Sequence, residues 1–498
     1  MKKIFTTTLL LLVTALAYWS CQEKNLDLLP LGETEASFYN SESDFNRSVV
    51  GIYAKLSDFY WYNAGGGLHG IWHLPGDDVT MTGSDAYEIF TGLNATNGGL
   101  NEYYRRAYQL IDRANTTIQK INASGDRIYS TPSLKTQHLA EATFLRGYMH
   151  FCLYNFFGTA PVRTQRVDTP DEAQLRLSNS TGTQLLDQAI TDFQTAAAGL
   201  PTAYPATQAG RITANTANGF LGKALVFRAS YNRTAADFQA AITAFDKISG
   251  AALVANYGDN FSALTENNAE SLFEFQATQP GFDNVWLSND FESSGAGSTS
   301  AYWGFYENHW SRFGAPPFIA TDKYVAALEA GDPRIEFSFD TSKAVKKYVL
   351  ADQKSQSGVA SVNNPRILRY ADVLLLKAEA ILENGGATAD AIALINEVRT
   401  RARGAGAVPA DYSIAETDKA RIFDWVAKER LAELGGEEGH RWFDLKRWHA
   451  AGKINLGAWD WSSASTSGVQ FDISKNLLYP LPANELDLNP NMQQNAGY

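Results

Sequence analysis

A chain of 498 residues that is 45% hydrophobic and 19% charged has the composition of a folded globular protein and excludes a largely disordered one. Its net charge of −12 argues against nucleic acid as the main partner, because phosphate binding needs a basic face. The 11 Trp and 23 Tyr exceed what one core requires, which leaves flat side chains for a binding surface.

The chain opens Met1-Lys2-Lys3 and continues into apolar Leu9–Ala17, a core too short to span a bilayer. A small residue followed by cysteine, Ser20-Cys21, then stands where a lipoprotein signal is cut. Residues 1–20 are therefore expected to be a signal peptide, and Cys21 the acylated first residue. An ordinary secretory signal with an incidental cysteine is the alternative. Cys152 is left alone, so no intramolecular disulfide is expected and the fold must rest on packing. Residues 21–40 are polar enough for a tether, and contact with the membrane is expected through the lipid only. The rest, 41–498, is expected to be one body.

Helical periodicity starts after Ser41 or Ser43, either of which can cap it, and runs through Phe45, Val49, Ile52 and Tyr53. Residues 61–99 are glycine-rich and irregular. Within them Gly65-Gly66-Gly67-Leu68-His69-Gly70 matches a dinucleotide fingerprint in form only, since no buried strand precedes it and Pro75 interrupts any helix after it. His69 and His73 have the spacing of helical metal ligands, but no helix is expected there and no third ligand stands nearby. No cofactor and no metal site are expected.

Helical stripes return over Glu102–Ile121 and Lys135–Phe156, the second closed by Gly158 and Pro161. Thr183–Leu200, Ala214–Tyr231 and Ala235–Ile248 follow, with Gly219, Gly222, Ala224 and Ala229 small enough to bring helices close. From 250 to 364 the helical signal fades. Glu270–Ala277 and Lys347–Leu350 read as strands, and Gln279–Pro317 is a long loop rich in Gly, Ser and aromatics, a type that is usually functional or disordered. Arg369–Leu382 is apolar nearly all round, as a buried helix is, and Thr388–Arg403 is its amphipathic partner.

Ala427–Trp448 predicts two helices joined by a hinge at Gly435–Gly439. Glu429 and Glu433 continue the apolar stripe of Ile422 and Val426, and Arg441 shares a face with Leu445 and Trp448. Charges inside a stripe are costly unless paired. A buried Glu–Arg clamp is expected, with Arg441 the first-choice partner; a catalytic carboxylate pair is the alternative. The class expected is mainly α: helix pairs of the tetratricopeptide kind stacked into a curved scaffold (about 41–60, 100–250 and 365–450), with loop insertions at about 61–99 and 250–364 and a few short strands.

PRILRYADVLLLKAEA at Pro365–Ala380, INEVRTRA at Ile395–Ala402 and ERLAELGGEEGHRWFDLKRW at Glu429–Trp448 resemble the C-terminal signature of SusD/RagB-family lipoproteins. The closing LYPLPANELDLNPNMQQNAGY and the upstream EATFLRGYMHFCLYNFFGTAPV at Glu141–Val162 resemble the same family. The resemblance implies tetratricopeptide-like helix pairs with the ligand face on the irregular loops. It also implies a place on the outer face of the outer membrane, where such a protein caps a SusC-like TonB-dependent transporter and delivers an oligosaccharide, or sometimes a peptide, without turning it over. A glycoside hydrolase is the competing class, supported by Asp77-Asp78 and Glu437-Glu438. Two catalytic carboxyls must stand roughly 5–9.5 Å apart across a sugar, which neighbours in a turn rarely do. No nucleophile elbow, zinc motif or phosphate loop is present.

A sugar offers apolar C–H faces and a ring of hydroxyls, so its binder needs flat aromatics flanked by polar groups. Trp72 with Asp77 and Asp78 meets that need. So do Tyr302, Trp303, Tyr306 and Trp310, with Trp286 nearby in sequence. The two groups are expected side by side on one shallow platform, although any single aromatic there could instead pack its loop onto the scaffold.

Overall fold

Ser41 does start the first helix, α1 (Glu42–Ala54): its hydroxyl accepts from the Asp44 amide at 3.2 Å, and the Asp44 carboxylate accepts from the Ser41 amide at 2.8 Å. The computed structural model describes residues 38–60, 68, 70–81, 85–168, 171–277, 318–348, 362–465 and 468–498. The longer helices that follow are α2 (Gly98–Ile128), α3 (Pro132–Phe157), α4 (Gln184–Gly199), α5 (Ala214–Asn232) and α6 (Ala235–Phe245). After the irregular middle come α7 (Tyr370–Glu383), α8 (Thr388–Arg403), α9 (Lys419–Leu434) and α10 (His440–Ala450). Each of α2 to α7 packs on the next, and α7 also packs on α8 and α9, as stacked helix pairs do.

Sequence explains this stacking locally. On α2, Tyr103, Ala107, Leu110, Ile111 and Ala114 form one buried stripe, while α3 is buried on nearly every side from His138 onward. Small residues set the helix spacing. A Cβ on Gly222 of α5 would run into the Phe245 ring of α6, and one on Gly219 would meet Leu368 Cδ2 at 2.7 Å. One core runs from Ile52 through α2–α6 to Trp442, and a second fills the space between α7, α8 and α9. Cys152 is a free, buried thiol. Among the described residues no helix is long and apolar enough to cross a membrane.

Among the described residues two small antiparallel sheets punctuate the helices. Strand β1 (Val79–Met81) pairs with β3 (Phe318–Ala320), and β2 (Ser271–Glu274) pairs with β4 (Arg366–Arg369). Of these only β2 was expected. The strand expected at Lys347–Leu350 is absent from its described part: the bridging residues are Ala344 and Val345, and Lys347 and Tyr348 lie in a turn. Tyr348 takes a left-handed conformation (φ 66°), which a strand does not admit.

Candidate functional site

The hinge between α9 and α10 turns on Gly436 and Gly439, both at positive φ, and a Cβ on Gly439 would lie 2.7 Å from the Trp72 carbonyl oxygen. The turn swings α10 so that Arg441 leaves the buried face of α9. Its Nε donates to Asp77 Oδ1 at 2.5 Å, and Asp77 Oδ2 accepts from Trp459 Nε1 at 2.9 Å and Lys323 Nζ at 3.3 Å. The expected pairing of Arg441 with Glu429 or Glu433 is thus corrected. A helical wheel treats each helix alone and does not contain the rotation of one against the other.

Both glutamates are nonetheless clamped by arginine. Glu429 accepts from Arg334 at 2.6 Å and Arg399 at 2.8 Å. Glu433 accepts from Arg369 at 2.9 Å, Arg334 at 3.1 Å and Arg401. Arg369 continues to Glu270 at 2.5 Å and Glu437 at 2.8 Å, and Lys347 reaches Glu437 at 2.7 Å. All these side chains are buried. Burial alone would raise the Glu433 carboxyl, but the surrounding guanidiniums overcome it and hold the group far below the usual range. Arg369, Arg399 and Arg401 lie inside the motifs at Pro365–Ala380 and Ile395–Ala402, where their clamp role is not evident from sequence. The signal was a set of arginines placed within otherwise apolar helix faces and at a strand end.

Trp72, Asp77 and Asp78 are likewise corrected as members of an exposed platform. Trp72 sits in the short helix Gly70–His73, 5% exposed, with its ring 6.1 Å from that of Tyr60 and 6.2 Å from that of Tyr103. Asp77 is fully covered; burial would raise it, yet Arg441 holds it down at about 2. Asp78 Oδ2 accepts from the Gly436 amide at 2.8 Å, and burial pushes this carboxyl up to about 6. A sequence that alternates Gly, Pro, Trp and Asp reads as a surface loop, but here the acids face inward to neutralise the hinge. One member of each acidic pair is engaged in ion pairs: Asp77 with Arg441, and Glu437 with Arg369 and Lys347.

Trp286, Tyr302, Trp303, Tyr306 and Trp310 lie outside the described residues, as does Cys21. Several borders of the described chain lie close together. Tyr60, which precedes residue 61, stacks on Phe275 at 5.3 Å, just before residue 278. Met81 pairs with Phe318 across the first small sheet. The Ala277 amide donates to Asn364 Oδ1 at 2.7 Å, and Asn363 Nδ2 donates to the Tyr348 carbonyl at 3.2 Å, which ties in the borders of 349–361. The hinge holds this base: Tyr60 Oη donates to Glu438 at 3.0 Å. The Glu438 carboxyl is covered although its stem is partly exposed, and burial raises it to about 8. Among the described residues no three His, Cys, Asp or Glu side chains gather as metal ligands do.

Comparison with known proteins adds two family matches. Residues 299–498 match the model described as "SusD family", and residues 77–225 match "Starch-binding associating with outer membrane". SusD-like protein P2 of Formosa agariphila is similar over its full length, 26% identical with 100% of each chain covered. A SusD superfamily protein of Bacteroides vulgatus has a similar crystal structure, with TM-score 0.71, 25% identity, and 93% of this chain and 100% of that one covered. A solved "laminarin binding SusD-like protein" shares the fold at TM-score 0.72 and 22% identity, over 92% of this chain and 100% of that one. The two models match the helical first half and the hinge-bearing second half in order, and the fold is that of the solved relatives: the chain belongs to the SusD/RagB family.

Proposed function

We propose that this chain is an outer-membrane surface lipoprotein, anchored through Cys21, that binds oligosaccharides and passes them to a SusC-like TonB-dependent transporter. The ligand face is assigned to the loop carrying Trp286, Tyr302, Trp303, Tyr306 and Trp310. The observation that supports this most is that the chain borders at residues 60 and 277, and those at 81 and 318, lie close together beside a charge-clamped base. A base of that kind gives an aromatic loop a rigid seat, which lowers the ordering cost of binding. The family description "Starch-binding associating with outer membrane" and the laminarin-binding relative favour a glycan over a peptide and a binder over a hydrolase. Affinity is expected to be modest, about −8 to −4 kcal/mol, since cargo must be released.

Calorimetric titration of the soluble chain with a panel of soluble glycans and oligopeptides tests this reading. Heats from at least one glycan and from no peptide are expected. Binding of peptides alone, or appearance of glycan hydrolysis products, would replace it.

A further inference from the structure

A groove of about 660 Å³ lies between α2, the stretch 161–176 and the short C-terminal helix Ala483–Leu488, and it shares no residue with the hinge or its clamp. Its floor is apolar: the rings of Tyr104 and Tyr108 stand 4.8 Å apart, and Tyr108 Oη donates to the Pro161 carbonyl at 2.6 Å. Its lips are exposed leucines, Leu175 at 47% and Leu488 at 73%. Val50, 49% exposed, stands at one end beside Gly51, whose carbonyl accepts from the groove's Arg113 at 3.2 Å. Among the described residues five large apolar side chains are exposed, and three of them ring this groove. Apolar side chains gathered in this way mark a surface that another segment covers. The charges at the rim do not choose the occupant. Arg105 pairs with Glu102 at 2.8 Å, and Arg163 stabilises the carboxylates of both Asp112 and Glu485.

The chain itself supplies an occupant. The described residues begin at Phe38, and their start is fastened about one helical turn from the groove's end. Tyr39 Oη shares a hydrogen bond with Ser48 Oγ at 3.3 Å, and Ser48 Oγ shares one with Thr117 Oγ1 at 2.7 Å. Thr117 stands one turn along α2 from Arg113. Thirty-seven residues precede Phe38, and every large aliphatic side chain of the stretch 21–37 falls within Leu26–Leu31: Leu26, Leu28, Leu29 and Leu31. Residues 32–37 span up to about 20 Å when extended, enough to bring these leucines to the groove. The ridge from Tyr104 to Arg113 runs about 14 Å at the helical rise, which four or five extended residues cover. Pro30 holds itself and Leu29 away from helix, and in an extended chain Leu26, Leu28 and Pro30 share one side while Asp27 faces the other.

We infer that Leu26–Leu31 lies extended in this groove as a strap, with Leu26 and Leu28 toward the tyrosine floor and Leu175 and Leu488 flanking it. The inference is independent of the glycan reading, because no residue of the groove belongs to that site. It adds an orientation to the anchoring reading, on which this last step rests. Five residues, about 17 Å when extended, lead from Cys21 to Leu26, so an acylated Cys21 holds the groove face toward the bilayer.

Thiol reactivity in the soluble Cys21→Ala chain tests the strap. Cys152 is buried, so a single added cysteine reports alone. Relative to its rate in urea, Leu28→Cys should react with a water-soluble disulfide reagent at least about tenfold more slowly than Gln22→Cys, which precedes the strap. Adding Leu175→Asp and Leu488→Asp, both at exposed positions that tolerate a polar side chain, should bring the two rates together while the circular dichroism spectrum stays native. Adding Leu264→Asp instead, at an exposed leucine outside the groove, should leave the protection intact. Equal rates at Leu28→Cys and Gln22→Cys in the starting chain would overturn the inference. So would protection that survives both groove substitutions, since the segment would then sit elsewhere. Protection that fades on dilution would overturn it too, by making a second copy the source of the occupant.

Discussion

Glu433 meets three guanidiniums with no water-facing surface, so its loss is felt by all of them. Glu433→Gln should cost about 3–5 kcal/mol, because Arg369 and Arg401 would keep buried charge with only Glu270 and Glu437 to share. Urea unfolding measures this, and a loss under about 1 kcal/mol would show the clamp to be dispensable. Glu438 adds a pH dependence of known sign. Its folded pKa, about 8, lies above that of an unfolded carboxyl, so the fold favours the protonated form. That contribution is complete below the ordinary carboxylate range and is lost as pH rises through about 8. Between pH 6 and 9 the melting temperature should therefore fall further for the parent than for Glu438→Gln; equal falls would mean the carboxyl is solvated. At this scale, legibility was partial. Buried Glu429 and Glu433 were readable because they interrupt an apolar stripe, whereas the identity of their partners was not, because Arg334, Arg369, Arg399 and Arg401 arrive from distant segments.

Elements were more legible than residues where periodicity was long. Helix α8 spans the expected Thr388–Arg403, and α7 is buried nearly all round as its composition requires. The short strands were not legible. Arg366–Arg369 is fully buried with arginine at both ends, so it shows no alternation, and β1 and β3 have three residues each. Close packing also follows from sequence. Gly222→Ala places a methyl group in the Phe245 ring, and the overpacking should cost about 1–3 kcal/mol by thermal or urea unfolding. No loss of stability would mean that α5 and α6 separate without penalty.

The described residues couple a stacked-helix scaffold to an ion-paired base around the hinge. Family membership was legible from the motifs at Pro365–Ala380 and Glu429–Trp448, and both family matches agree with it. The first ligand group was misplaced because aromatic and acidic residues in a glycine-rich stretch look alike whether they face solvent or a hinge; Trp72 and Asp77 face the hinge. Anchoring is a prediction at this scale. Each buried CH₂ of an acyl chain contributes about 0.8 kcal/mol, so Cys21→Ala should move the protein from the washed membrane fraction to the soluble one without changing its melting temperature. Retention in the membrane would rule out the lipid.

The glycan face is tested most directly by titrating the Trp303→Ala, Trp310→Ala double variant with whichever glycan the parent binds. The account predicts that binding is lost while stability stays within about 1 kcal/mol of the parent. Full affinity in the double variant would contradict it.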